Sequence, residues 1–433
     1  MLKKLASLLF IFVLALPLQA QQPKKLNASQ IHDAVKKLNF LGTVLYVAAH
    51  PDDENTRLIS YMSNQVKART AYLSLTRGDG GQNLIGPEIR ELLGVIRTQE
   101  LLAARSVDGG EQRFSRANDF GYSKRPEETL DIWNKDQVLS DVILAIRQFK
   151  PDIIINRFDH RTPGSTHGHH TTSAMLSVEA FDLANNPNIY PEQVKTYGTW
   201  QPKRQFFNTS WWFYGNEENF EKADKSKLLN FDIGVYYPSK GLSNNEIAAL
   251  ARSKHLCQGF GSLTSRGTQE EYIELINGDL PKDKTNLFEG IDTTWNRVKG
   301  GKTIGDILEN VEANFNFENP STHVKDLLLA RQLIQQLDNE YWKNYKTQEI
   351  DAIIEACLGL YLEASASTPT ASPGETITIN LEAVNRSPIN MELVSYHIST
   401  DKIATLKALS LKNNDKQNLE QSLTIPKDMQ PSS

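Results

Sequence analysis

Residues 43–49, Thr-Val-Leu-Tyr-Val-Ala-Ala, constrain the fold more than any other stretch of the chain. The run is β-branched and apolar without polar alternation, which predicts a strand covered on both faces, as in a parallel sheet flanked by helices. Pro51 stops it, because proline cannot continue a ladder. The chain therefore leaves the sheet at His50-Pro-Asp-Asp-Glu54, and in open α/β sheets ligands gather at the carboxyl ends of strands. His50 and Asp53 are donors suited to Zn²⁺ or a similar divalent ion, with Asp52 between them left free as a base. The same string also fits an Asx turn that caps the next helix through Asp52 or Asp53.

The 433 residues suffice for two or three domains, each with a core. With 47 Lys+Arg against 52 Asp+Glu and a net charge of -5, no basic footprint for nucleic acid is present. Lys3 and Lys4, an apolar run from Leu5 to Leu16, and Leu18-Gln-Ala20 have the layout of a secretory signal peptide over residues 1–20, so the protein is expected to be secreted or periplasmic. The run is shorter than the roughly 20 residues of a membrane span, and nothing later is apolar enough to cross a bilayer. The two cysteines, Cys257 and Cys357, are too few for a disulfide-dependent fold, although they could pair.

An α/β rhythm follows the first strand. A helical pattern over 55–64, a strand over 70–75, the glycine-rich loop Thr76–Gln82, an amphipathic helix from about Pro87 to Ser106, a helix over 138–149 and a strand over 153–156 make repeated crossover units. The fold class expected is α/β: a Rossmann-like parallel-sheet catalytic domain over 40–262. A mostly helical region (263–363), an Ala/Ser/Thr/Pro linker (364–374) and a partial C-terminal β-sandwich (375–433) are expected to follow. Its roughly 60 residues fall short of the roughly 100 of an Ig-like sandwich, so that module reads as truncated.

The strand over 153–156 is followed by Arg157–His170, which holds four of the nine histidines and lies at the same sheet edge as His50. His167 and His170, three apart at a helix start, share a face. His50, Asp53 and one histidine of this loop make three ligands with an open position, the catalytic kind of zinc site. Metal there would activate water and polarise a carbonyl, with Asp52 taking the proton.

Ala49-His-Pro-Asp-Asp-Glu54 with a later His-x-x-His resembles the LmbE-like and PIG-L-like zinc-dependent de-N-acetylases, over about residues 40–260. The resemblance implies zinc ligands His50, Asp53 and His170, a general base at Asp52, and an acid or oxyanion stabiliser at His167. His169 departs from the family's pattern, which has Asp there to tune the neighbouring histidine. Arg97 and Glu100 match an Arg-x-x-Glu pattern on the family's helix, which suits Arg97 equally to substrate contact or to an ion pair with Glu100. Asp119 sits where relatives bind a sugar hydroxyl, with a loop turn as an equal alternative. His255 and Gln258 match a motif near the end of the catalytic domain and read as structural. The triplet Arg77-Gly-Asp79 matches a cell-adhesion motif by letters only.

The function expected is hydrolysis of an N-acetyl group on an amino sugar or glycoconjugate. The alternatives are a metal amidase acting on a non-sugar amide, and a carbohydrate-binding protein with a vestigial metal site. If residues 1–20 are a signal, mass spectrometry of the exported protein should place its amino terminus at about Gln21; an exported chain that still starts at Met1 would contradict this.

Overall fold

A computed structural model describes residues 25–162, 166–261, 263–397 and 404–430. The expected signal peptide lies outside the described residues. The chain divides into two compact units: Asp33–Asn314 with Asp326–Ile350, and Met1–His32 with Phe315–Lys325 and Asp351–Ser433.

The larger unit is built on one sheet. Helix α1 (Ala28–Leu38) runs into it and leads to β1 (Thr43–Ala48). Then come α2 (Thr56–Asn64), β2 (Arg69–Ser74), α3 (Glu91–Asp108), β3 (Glu111–Phe114), α4 (Pro126–Trp133), α5 (Lys135–Phe149) and β4 (Ile153–Asn156). Next are α6 (Gly168–Leu183), α7 (Pro191–Tyr197), β5 (Arg204–Thr209), α8 (Glu217–Lys222), β6 (Leu228–Asp232), the short pair β7 (Tyr236–Tyr237) and β8 (Leu242–Ser243), α9 (Asn244–Arg252) and β9 (Glu270–Gly278). The sheet order is β3-β2-β1-β4-β5-β9-β6.

The first five strands in that order are parallel, and β9 pairs antiparallel with both β5 and β6. The expectation of an all-parallel sheet is therefore corrected to a mixed one, with antiparallel pairing at one edge. The region from 263 expected to be mostly helical carries its three helices only after a strand, β9. Burial alternates along Glu271, Ile273 and Leu275, so this stretch is a half-buried strand with a side-chain period of two.

The two faces of β1 explain its unbroken apolar sequence. Val44, Tyr46 and Ala48 pack with Leu58, Met62 and Leu101 of α2 and α3. Leu45 and Val47 pack with Val138, Val142, Ile146 and Leu176 of α5 and α6. After β1 the chain builds outward through β2 and β3, then returns to place β4 on the other side of β1. The order reverses at the β1/β4 boundary, where the carboxyl ends of neighbouring strands open a crevice.

A buried latch sets the register of those two strands at their opposite ends. The Asp152 carboxylate accepts hydrogen bonds from the Thr43 N–H (3.1 Å) and Oγ1 (3.1 Å). Arg297 donates to it bidentately at 2.9 and 3.0 Å. Two long-range elements are thus tied to one side chain that is 1% exposed.

Helices α10 (Lys302–Ala313), α11 (Val324–Gln335) and α12 (Glu340–Cys357) follow. Strand β10 (Tyr361–Ala366) occupies the start of the segment expected as linker. It joins β11 (Thr376–Val384) and β14 (Lys416–Thr424) in one antiparallel sheet, while β12 (Met391–Tyr396) and β13 (Ala404–Leu411) make a second. Among the described residues no helix is long and apolar enough to cross a membrane. Cys257 and Cys357 are free, buried thiols.

Asp152→Ala removes one partner from a buried ion pair and leaves Arg297 without its counter-charge, so it should lower stability by about 3–5 kcal/mol. Asp152→Asn, which keeps an acceptor for Thr43, should cost less. Urea unfolding followed by circular dichroism checks both; a loss below about 1 kcal/mol in the alanine variant would show that the latch does not hold the strands.

Candidate metal centre

The turn after β1 presents two donors three residues apart. His50 Nδ1 lies 3.1 Å from Asp53 Oδ2, and Asp53 Oδ1 lies 3.4 Å from His170 Nε2. One donor atom from each of His50, Asp53 and His170 lies within 4.8 Å of the others. Two imidazoles and a carboxylate from β1 and the start of α6 are a donor set that fits zinc or a similar divalent ion. Phe158, two residues beyond β4, stacks flat on the His170 ring, 3.9 Å between centroids and 3° between planes.

A second trio, His50, His167 and His169, shares His50. It is the poorer candidate for an open site. His169 is fully buried, stacked on Trp133 at 4.8 Å and met edge-on by Phe120 at 4.3 Å. His167 caps α6: its Nδ1 accepts the His169 N–H at 3.1 Å, which places the ring proton on Nε2, 3.1 Å from the Gly121 carbonyl oxygen. The first trio also contains a carboxylate to balance the metal charge. Asp53 and His170 line a cleft of about 680 Å³ together with Asp52.

The turn itself is held by side chains remote in sequence. Asp52 sits at φ +107°, a region that L residues avoid and that costs about 1–3 kcal/mol. The surrounding hydrogen bonds over-determine it. The Tyr72 hydroxyl donates to the His50 carbonyl (2.5 Å), Gln258 Nε2 to that of Pro51 (3.3 Å) and Arg252 Nη1 to that of Asp52 (3.1 Å). The Asp52 N–H donates to Glu54 Oε2 at 2.8 Å. Glu54 is anchored in turn by His255 at 2.8 Å and Arg105 at 3.3 Å. Helix α2 is capped by Asn55, whose side chain accepts the Leu58 N–H, so the capping alternative for Asp52 and Asp53 is set aside.

Charges follow this geometry. Burial works against ionisation of Asp53, but the charges and hydrogen bonds of His170 and His50 outweigh it and hold the carboxyl well below its usual range. Burial likewise opposes charge on His50, and Asp53 with Asp119 and Asp52 outweighs it, raising that ring. Burial, then the neighbouring Asp53 and Glu54, push Asp52 up to about 7 in the metal-free protein. Burial, then His50 and His170, push His167 down to about 4; burial, then the other three histidines, push His169 down to about 2. His169 is therefore a neutral ring, and its Nδ1 meets His50 Nε2 at 2.9 Å.

The structure brings His50, Asp52, Asp53 and His170 together, and His167 caps α6 with its ring 5.1 Å from that of His170 and 5.3 Å from that of His50. Arg97 and Asp119 do not line the cleft. Arg97 is 3% exposed, donates to the Gln82 carbonyl at 2.8 Å and fills the space beside Gly78 and Gly81, where a Cβ would lie within 2.7 Å of its atoms. It braces the glycine-rich loop, and Glu100 instead accepts from the N–H and Sγ of Cys257. Asp119 accepts the Gly121 N–H at 2.9 Å in a buried turn. A Cβ at Gly80 would come within 2.3 Å of the Asp119 carbonyl oxygen, so these two loops require each other. Tyr72, Arg105 and Arg252 escaped sequence reading because single residues in a strand or helix carry no motif. His255 and Gln258 take the supporting places expected of them.

Residues 45–181 match the family described as PIG-L: GlcNAc-PI de-N-acetylase. This stretch is a PIG-L-type domain. The chain is similar to N,N'-diacetylchitobiose deacetylase from Pyrococcus horikoshii at 20% identity and TM-score 0.31, over 38% of this chain and 59% of that one. It therefore spans less than two thirds of that deacetylase. It is also similar to a conserved protein of Thermus thermophilus (20% identity, TM-score 0.31, 49% of this chain and 80% of that one). A third similarity is to the 4-carboxy-2-hydroxymuconate hydratase of Pseudomonas putida (15%, TM-score 0.38, 57% and 99%). Likenesses of this size carry no argument about activity. No curated protein matches the chain. The PIG-L-type domain with its His/His/Asp cluster supports a metal-dependent hydrolase.

His170→Ala should abolish stoichiometric zinc binding. His169→Ala, which removes the partner of His50 Nε2, should weaken it by about 10–100-fold while stoichiometry persists. Competition with a chromophoric chelator reads both. The reverse pattern, zinc kept in His170→Ala and lost in His169→Ala, would move the metal to the second trio.

Proposed function

We propose that the protein is a secreted or periplasmic, metal-dependent hydrolase that removes an acyl group, acetyl foremost, from the nitrogen of an amino sugar or glycoconjugate. The observation that carries the reading is a carboxylate that ligates nothing beside a trio that can. Asp52 lines the cleft with Asp53 and His170, and its carboxylate accepts no hydrogen bond among the described residues. A purely structural site closes its coordination with protein groups and has no use for such a carboxylate. The amino-sugar class is supported by the description of the matching family.

A zinc or similar ion held by His50, Asp53 and His170 would supply Lewis acidity at the acyl carbonyl and acidify water. The chain's own groups carry the proton. Asp52 takes a proton as the water oxygen bonds to the carbonyl carbon, and returns it to the nitrogen as the C–N bond breaks, leaving acetate and the free amine. Its upward shift to about 7 suits both directions of transfer, and a cation beside it works the opposite way. Arg252 on the Asp52 carbonyl keeps the carboxylate from swinging with its backbone. His167 becomes the oxyanion donor by exchanging the Gly121 carbonyl for the acyl oxygen at its Nε2–H.

Acetate release from N-acetylated sugars and small amides, with and without chelator, tests the reading. Asp52→Asn should keep its zinc and lose turnover by about 10²-fold or more. Near wild-type turnover in the zinc-loaded variant would remove Asp52 from this role, and release from small amides alone would remove the sugar.

A further inference from the structure

We propose that the substrate also carries an anionic group, phosphate or carboxylate, and that Arg57, Arg157 and Arg252 bind it in the cleft. The inference rests on the reading of that cleft as the substrate site. The three arginines come from three elements and line one cavity with Asp52, His170 and Trp212. Arg57 lies in the first turn of α2, Arg157 directly follows β4, and Arg252 ends α9.

Elsewhere many of the arginines are committed to carboxylates or backbone carbonyls. Arg69 pairs with Glu111, Arg105 with Asp108, Arg161 with Asp159 and Glu274, and Arg297 with Asp152. Arg147 and Arg204 are spent on backbone carbonyls. None of the three cleft arginines forms an ion pair among the described residues. Arg57 donates one side-chain hydrogen bond, to Gln269 (2.8 Å), and Arg252 one, to the Asp52 carbonyl (3.1 Å). Arg157 donates none among the described residues: its guanidinium lies 5.8 Å from the Phe158 ring centroid and 5.5 Å from that of Phe213. Glu271, an acid within their field, is buried and gives its oxygens to Asn208 (2.6 Å) and Asn55 (2.9 Å).

A guanidinium presents a planar fork of donors, and nearly all those of this cluster are free for a ligand. Arg57 is exposed, whereas Arg157 and Arg252 are half-buried. Of the acids in the same cavity, Asp53 is engaged by His50 and His170 and Glu54 by His255 and Arg105, so neither pairs with these arginines. A half-buried cation without a partner is costly. Aromatic rings beneath Arg157 fix its plane without using its donors, the arrangement suited to bidentate capture of an oxyanion. Composition does not force this, since the chain has a net charge of -5. Trp212, 56% exposed on the same wall, adds a flat apolar surface for the ring that bears the anion.

Binding to the full, zinc-loaded protein can be read without turnover by calorimetry with glucosamine, glucosamine 6-phosphate and muramic acid. The phosphate or the carboxylate sugar should bind about tenfold or more tighter than glucosamine at low salt, and lose that advantage at high salt. Which of the two gains identifies the anion. Arg157→Gln, with its melting temperature as the check on folding, should bring anionic and neutral sugars to within about twofold, and Arg157→Lys should restore part of the gap. Equal affinity of the three sugars in the wild type, absence of binding, or a gap unchanged in Arg157→Gln overturns the proposal. Acetate release from N-acetylglucosamine and its 6-phosphate separates the two readings. Release with equal affinities removes only the anion site, and an anion preference without any release removes only the deacetylase.

Discussion

The turn from His50 to Glu54 is the constraint on which the site depends. Two candidate ligands three residues apart can face one point only if the peptide between them is fixed, and the cost of fixing it falls on Asp52 at φ +107°. Tyr72 from β2, Gln258 beyond α9 and Arg252 at the end of α9 each take one carbonyl of the turn. Each such bond is worth about 1 kcal/mol, so three or four together match the strain of about 1–3 kcal/mol. Glu54 adds a charged anchor. Burial works to raise its carboxyl, and His255 and Arg105 outweigh that, bringing it down to about 2. The strand β1 aims the turn, and helices far along the chain hold it there.

This division explains what could be read from the sequence. The apolar run before His50 could be recognised because both faces of β1 are buried, and burial on both faces leaves no polar alternation. The meeting of His50 and Asp53 with His170 was legible because β1 and β4 are neighbours whose carboxyl ends share an edge. Arg97 and Asp119, each of which the sequence left open between substrate contact and a structural place, show where such reading stops. A polar residue on a helix or loop near a site looks the same in sequence whether it faces the cleft or supports a loop beneath it. The glycine-rich loop decides the matter for Arg97: its guanidinium occupies the room that side chains at Gly78 and Gly81 would need. Strand β9, paired on both sides by β5 and β6, was lost among helical neighbours because one of its inward residues is the charged Glu271, which breaks the apolar alternation in the sequence.

His169 shows how one departure from a motif redistributes roles. A carboxylate at this position would bring charge and two acceptors; the neutral imidazole brings one acceptor and one donor. If His50 keeps Nδ1 bare toward Asp53 and the metal, its Nε2–H must donate, and His169 Nδ1 must accept at 2.9 Å. The His169 proton then sits on Nε2, which has no partner in its aromatic surroundings. An unpaired N–H there costs about 1–3 kcal/mol, a cost justified only by what it fixes, namely the ring orientation and tautomer of a ligand. The neighbouring His167 is left to cap α6 through its Nδ1.

The candidate metal donors and the proposed anion-binding arginines therefore reside on different parts of the fold. The donors His50, Asp53 and His170 sit on the rigid edge where β1 and β4 part, each backed by buried contacts. The arginines stand at the ends of helices and strands around them, where a change of side chain leaves the sheet and its latch at Asp152 untouched. Arg252 belongs to both sets, since its guanidinium holds the Asp52 carbonyl while facing the cleft. An anion that draws Arg252 toward itself would pull on the backbone of Asp52, the residue proposed to handle the proton. On the proposed reading, substrate binding and the position of Asp52 are linked through a single hydrogen bond.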